Sequence, residues 1–236
     1  MTHGLAIAIY ADGADVREMI AARDAGIVRG FTTNPTLMRK SGVTDYESFA
    51  KEALRATAGM PISFEVFADE FDEMERQAKL IATWGDSVFV KIPITNTAGD
   101  SSVALIKRLS HAGVKLNITA ILTLEQVREV VDALDPNVPA IVSVFAGRIA
   151  DTGRDPIPLM TEAASIVSAK PKAQLLWASP RELLNLFQAD ACGCHIITVT
   201  PDILKKLAMV GKPLDDLSLD TVKMFFNDAA AAGFRL

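Results

Sequence analysis

The chain has 236 residues, half of them apolar, and a net charge of −5. That length allows one sizeable core that takes roughly 70–75% of the unfolded surface out of water. The mild acidity, with no basic or basic-aromatic cluster, excludes a nucleic-acid footprint.

Apolar segments rich in Ile and Val alternate with amphipathic ones from end to end. Strands are expected at Leu5–Asp12, Gly30–Asn34, Pro61–Phe67, Ser87–Ile94, Lys115–Ala120, Ala140–Ala146, Gln174–Ser179 and His195–Thr200. Helices are expected between them at Val16–Ala25, Asp45–Ala56, Phe71–Trp84, Val103–His111, Leu124–Leu134, Leu159–Ser168, Arg181–Asp190 and Asp202–Met209. Gly26, Gly85 and Gly113 stand where helices should stop. Alternation of this kind implies βαβ units and a parallel sheet. Eight units fit a single TIM (β/α)8 barrel over residues 1–236. A doubly wound open sheet is the alternative, but the chain lacks its G-x-G-x-x-G fingerprint, and the P-loop is missing too. Leu214–Leu236 should form an extra C-terminal helix with Leu217, Val222, Phe225 and Phe226 on its apolar side, covering the barrel or docking on a neighbouring subunit.

No apolar run approaches the roughly 20 residues of a membrane span, and Met1-Thr2-His3-Gly4 lacks a signal-peptide pattern, so a cytoplasmic protein is expected. Cys192-Gly193-Cys194-His195 resembles a metal fragment, but His3 and His111 have no ligand-like neighbours to complete a zinc site. Buried thiols are the expectation there, with no metal and no cofactor.

One residue breaks the apolar pattern. Lys91 sits inside Val88-Phe89-Val90-Lys91-Ile92-Pro93-Ile94, a segment that reads as buried on both faces. Burial disfavours an ammonium ion. A neutral amine held there could attack a carbonyl and form a Schiff base. The plainer alternative is a lysine at the strand end that snorkels to water.

In this barrel class catalytic groups collect at the C-terminal strand ends. Those ends carry Asp12, Thr33 and Asn34, Glu65, Lys91, Asn117 and Thr119, Ser143 and Arg148, and Ser179 and Arg181. Singly, Asp12, Asn34 and Ser179 could cap the following helices and Arg148 could form an exposed ion pair. Together they suit ketose chemistry. A Lys91 iminium would accept electrons as the adjacent carbon–carbon bond breaks, with Asp12 or Glu65 taking the hydroxyl proton. Asn34, Asn117, Thr119 and Ser143 suit sugar hydroxyls, and Arg148 and Arg181 suit a phosphate. A Ser/His/Asp arrangement fails because no histidine falls at a C-terminal strand end. Hydrolysis by the paired carboxylates Asp12 and Glu65 would leave Lys91 unexplained.

The motifs resemble the transaldolase family, which includes the fructose-6-phosphate aldolases. Phe31-Thr32-Thr33-Asn34-Pro35-Thr36-Leu37 is similar to its first signature, and Val90-Lys91-Ile92-Pro93-Ile94-Thr95 to its Schiff-base segment. Asn117-Ile118-Thr119, Ser143-Val144-Phe145-Ala146-Gly147-Arg148 and Ala178-Ser179-Pro180-Arg181 follow in the family's order. The resemblance implies Lys91 as Schiff-base former, Asp12 as acid/base, and Glu65 with Thr119 holding a relay water. It implies Asn34, Asn117 and Ser143 on the dihydroxyacetone hydroxyls, Ser179, Arg148 and Arg181 on the phosphate, and Thr33 and Phe145 as further substrate-binding residues. It also implies sugar-phosphate substrates, the pentose phosphate pathway and a homo-oligomer. Glu65 and Phe145 look like the transaldolase pattern, since the aldolases typically carry glutamine and tyrosine there; an aldolase-type lyase and a non-catalytic sugar-phosphate binder are the alternatives. The chain departs from the pattern at Gly13, at Pro180 and in the loop Thr95-Asn96-Thr97-Ala98-Gly99, all expected at the substrate rim.

Overall fold

Eight short strands close into a parallel barrel in chain order in the computed structural model, which describes residues 4–235. They are β1 (Ala8–Asp12), β2 (Gly30–Thr32), β3 (Ile62–Glu65), β4 (Val88–Pro93), β5 (Leu116–Ile121), β6 (Ala140–Val144), β7 (Ala173–Trp177) and β8 (Ile196–Val199). The helices are α1 (Val16–Asp24), α2 (Pro35–Lys40), α3 (Tyr46–Thr57), α4 (Phe71–Ala82), α5 (Val103–His111), α6 (Leu124–Ala133), α7 (Ala146–Ala150), α8 (Ile157–Val167), α9 (Leu184–Ala191), α10 (Pro201–Lys205) and α11 (Leu214–Ala232). Every expected strand is present, shortened by one to three residues at most of its ends. Two helices were not expected. Both α2 and α7 are single turns or little more, too short to show a hydrophobic period. The expected helix Asp202–Met209 instead splits into α10 and a 3₁₀ turn, Lys206–Met209.

The chain divides into two units, one running through Leu204 and the other beginning at Lys205. The second consists of the 3₁₀ turn and α11, whose Val222, Phe225 and Phe226 are exposed in the single chain.

Within the barrel, inward residues follow the period of two that the pleat imposes. Tyr10, Ile141, Leu176, Ala178 and Ile196 pack as one buried cluster, with Ala8, Phe89 and Phe145 against it. Two residues further along the same strands the inward side chains turn polar: Asp12 after Tyr10, Lys91 after Phe89, Ser143 after Ile141 and Thr198 after Ile196. An apolar plug therefore supports a polar layer at the C-terminal mouth. Gly30 makes room for the plug, because a Cβ there would lie 2.5 Å from the Tyr10 ring. Outward residues such as Val90, Ile92, Ile118 and Val142 are fully buried. Helix starts are fixed by side-chain caps at Asp15, Asn34, Asp45 and Thr123, the last in a capping box with Gln126. Cys192 and Cys194 are free, buried thiols. Among the described residues no helix is long and apolar enough to cross a membrane.

Candidate active site

The C-terminal strand ends open into a cavity of about 550 Å3, within the range of small-ligand sites. Asp12, Asn34, Glu65, Lys91, Asn117, Thr119, Ser143, Phe145, Arg148, Ser179 and Arg181 all line it. Thr33 does not. Its hydroxyl donates to the Ser63 carbonyl at 2.8 Å and the residue is fully buried, so it meets the site through its backbone alone. None of the departures Gly13, Pro180 and 95–99 is among the lining residues. The 95–99 loop is instead tied down outside it: Thr95 pairs with Ser101, and Asp69 accepts from the Thr97 N–H at 2.8 Å and its hydroxyl at 2.6 Å.

Lys91 points into the barrel. Its Nζ donates to the Thr33 carbonyl at 2.9 Å and lies 3.1 Å from Glu65 Oε2, with side chains only 9% and 17% exposed. A snorkelling lysine would be far more open. The amine has a carboxylate partner in Glu65, a pairing that burial of the strand could not by itself identify. Glu65 stands level with Lys91 on the neighbouring strand. Its backbone is held from outside by Tyr46 of α3, whose hydroxyl donates to the Glu65 carbonyl at 3.0 Å. The Tyr46 ring in turn packs edge-on to Phe64 and Trp84.

Asp12 caps nothing, since Asp15 caps α1. Burial pushes its carboxyl above the usual carboxylate range; the Lys91 charge and a hydrogen bond from Thr32 oppose this, and Glu65 adds to it. A carboxyl raised in this way is a stronger base when ionised. Thr32 donates to Asp12 Oδ1 at 2.8 Å, and Thr198 Oγ1 lies 2.5 Å from Thr32 Oγ1.

Asn117 is locked beside Lys91. It donates to Ser63 Oγ at 2.9 Å and accepts from the Ser143 hydroxyl at 2.6 Å, which leaves one N–H and one lone pair for a ligand. The register of β5 against β6 shifts between Ile118 and Ile121, and Ala120 takes φ 62°. That bulge lets two consecutive residues, Thr119 and Ala120, both face the cavity. Asn34 does cap α2, accepting from Leu37 N at 3.0 Å, and its amide nitrogen remains for the cavity.

The rim combines α7 with the chain after β7. Ser179 adopts φ 61°, a strained conformation for a non-glycine residue. A Cβ at Gly147 would sit 1.5 Å from the Ser179 carbonyl oxygen, so only glycine permits this contact. Arg148 lies over the Phe145 ring at 5.6 Å. Arg181 pairs with Asp151 through two hydrogen bonds. Sequence reasoning missed Thr32, Thr36, Leu37, Lys40, Leu176 and Thr198 among the lining residues. The signal for Thr198 was its period-two step from Ile196; that for Thr36 and Lys40 was Asn34-Pro35, a cap followed by proline at the first helical position.

Fold and site together define a (β/α)8 barrel with a paired lysine in its mouth and cations on its rim. The family described as transaldolase/fructose-6-phosphate aldolase matches residues 9–236. A protein of Dehalococcoides mccartyi named "Probable transaldolase" is 34% identical over 88% of this chain and 92% of its own. A Brucella anthropi protein of the same name is 33% identical over 96% and 98%. A Burkholderia cenocepacia crystal structure carrying a phosphonomutase assignment superposes with TM-score 0.58 at 14% identity, covering 87% of this chain and 92% of that one, a likeness of fold alone. The chain belongs to the transaldolase/fructose-6-phosphate aldolase family.

Gly147→Ala is expected to force α7 away from Ser179 and cost about 3 kcal/mol. Urea unfolding would read this as a lower midpoint at unchanged slope. An unchanged midpoint would show that α7 is not clamped there.

Proposed function

We propose that this protein is a transaldolase that moves a dihydroxyacetone unit from a ketose phosphate, fructose 6-phosphate or sedoheptulose 7-phosphate, to an aldose phosphate through a Schiff base on Lys91. The observation that carries this reading is the inward Lys91 amine, 3.1 Å from Glu65, in one cavity with Asp12 and two arginines.

Glu65 accepts the Lys91 proton, and the freed amine adds to the ketose C2 carbonyl. Loss of the C2 oxygen as water, with protons relayed by Glu65 and a water held by Thr119, leaves an iminium. Asp12 removes the C4 hydroxyl proton; the C3–C4 bond breaks and its electron pair passes into the iminium, giving an enamine and a free aldose phosphate. The acceptor aldehyde enters, enamine C3 bonds to its carbon, and Asp12 returns the proton to the new alkoxide. Water then releases the product and Lys91. Asn34, Asn117 and Ser143 bind the dihydroxyacetone hydroxyls. Ser179, Arg148 and Arg181 bind the phosphate, with the Asp151 contact orienting the Arg181 fork.

A transferase needs its enamine to stay unprotonated until the acceptor arrives. Phe145 supports this, because it presents a ring without a hydroxyl to the cavity. A lyase would use the same cavity and differ only in the fate of the enamine. The reading carries with it a cytoplasmic setting, a part in pentose phosphate carbon exchange and self-assembly into a homo-oligomer.

Borohydride reduction in the presence of fructose 6-phosphate is expected to leave a mass adduct on Lys91, and folded Lys91→Ala to lose turnover. An unmodified Lys91, or near-normal rates in the variant, would favour a non-catalytic binder. Donor alone should give at most one equivalent of aldose phosphate; steady release of dihydroxyacetone would establish the lyase. Arg181→Gln should raise KM for phosphorylated acceptors at least ten-fold, about the loss of one charge-assisted hydrogen bond, with little change for unphosphorylated aldehydes. An equal effect on both would remove Arg181 from the phosphate site.

A further inference from the structure

A run of three hydrogen-bonding groups lies along the inner barrel wall in the same cavity as Lys91, and its far end lies on the one strand to which the sequence assigned no role. Asp12 of β1 and Thr32 of β2 are register partners, and Thr198 of β8 stands level with Tyr10, one pleat below Asp12. Thr32 is 3% exposed and Thr198 6%. Both line the cavity.

Proton counting gives the run a direction. An ionised carboxylate only accepts, so the single Thr32 proton is committed to Asp12 Oδ1. At 2.5 Å from Thr198 Oγ1, the Thr32 oxygen must then accept, and Thr198 is the donor. Each bond polarises the next, which strengthens the one that reaches the carboxylate. Asp12 Oδ1 is thereby tied to the wall, and the other oxygen is left to the substrate.

The geometry points to Thr198 as a positioning residue for the Asp12 base: acting through Thr32, its hydroxyl fixes which carboxylate oxygen is held by the barrel and which one meets the sugar hydroxyl. This rests on the reading of Asp12 as acid/base. The charged groups around Asp12 are Lys91 from β4 and Glu65 from β3, with Lys40, Arg148 and Arg181 elsewhere on the same cavity. Asp15 and Glu18 line a small apolar cleft that Asp12 also borders. Thr198 is neutral, so replacing it alters the hydrogen-bonded run and leaves all of these charges in place.

Thr198→Val keeps the branched shape and removes the donor. It is expected to lower kcat about five-fold, the factor of one ordinary hydrogen bond, with KM within about two-fold and the acidic limb of the kcat profile moved to higher pH, because a less well-donated carboxylate holds its proton more readily. Thr198→Ser should restore both. A valine variant with unchanged kcat and limb overturns the proposal, as does a serine variant that behaves like valine, since that would trace the effect to packing of the methyl group. Carbon-13 NMR titration of the Asp12 carboxyl, assigned by comparison with Asp12→Asn, gives a readout without turnover. An upward move in Thr198→Val supports the inference even in a protein that converts no sugar phosphate, whereas absence of turnover in the wild type defeats only the proposed function. An Asp12 titration identical in wild type and Thr198→Val defeats the inference.

Discussion

A cation held almost out of water next to a carboxylate is the constraint on which the rest of this molecule depends. Removing either partner would leave an uncompensated buried charge, a defect worth several kcal/mol. The barrel meets the constraint by pairing β3 with β4 so that Glu65 and Lys91 are level, and by bringing the Thr33 carbonyl to the same amine. Asp12, its carboxyl raised by burial, stands in the same cavity as this pair. Two carboxylates with different surroundings can then do different work.

Support for that arrangement comes from below and from outside. Tyr10, Ile141 and Ile196 fill the barrel beneath the polar layer, and Leu176 and Ala178 of the same cluster reach the cavity. Tyr46 clasps the end of β3, and Ser63, Asn117 and Ser143 link β3, β5 and β6 through buried hydrogen bonds. Polar side chains fixed in this way have little freedom to lose when a ligand arrives.

The two unexpected helices shape the mouth. α2 follows β2 and α7 follows β6, positions four apart in a ring of eight and therefore across the barrel from each other. α2 contributes Thr36, Leu37 and Lys40, which share one helical face, and α7 contributes Arg148. Cations thus stand on opposite sides of the mouth. The strained backbone at Ala120 and Ser179 lies at this same cavity, where such conformations often accompany function.

Much of this was legible in the chain. Runs such as Ala140–Val144 are buried on both faces, and such runs alternating with amphipathic segments leave few folds besides a parallel barrel. A lysine in such a run is conspicuous, and polar groups at strand ends converge because a closed barrel has only one C-terminal mouth. What the chain could not show was pairing. Whether Lys91 meets Glu65 or stands alone, which carboxylate pairs with Arg181, and whether Thr33 presents its hydroxyl or its carbonyl all depend on register between strands and on side-chain direction. The short helices escaped because six residues or fewer carry no period. Local composition sets which segments are buried; only closure of the ring decides which of their side chains touch.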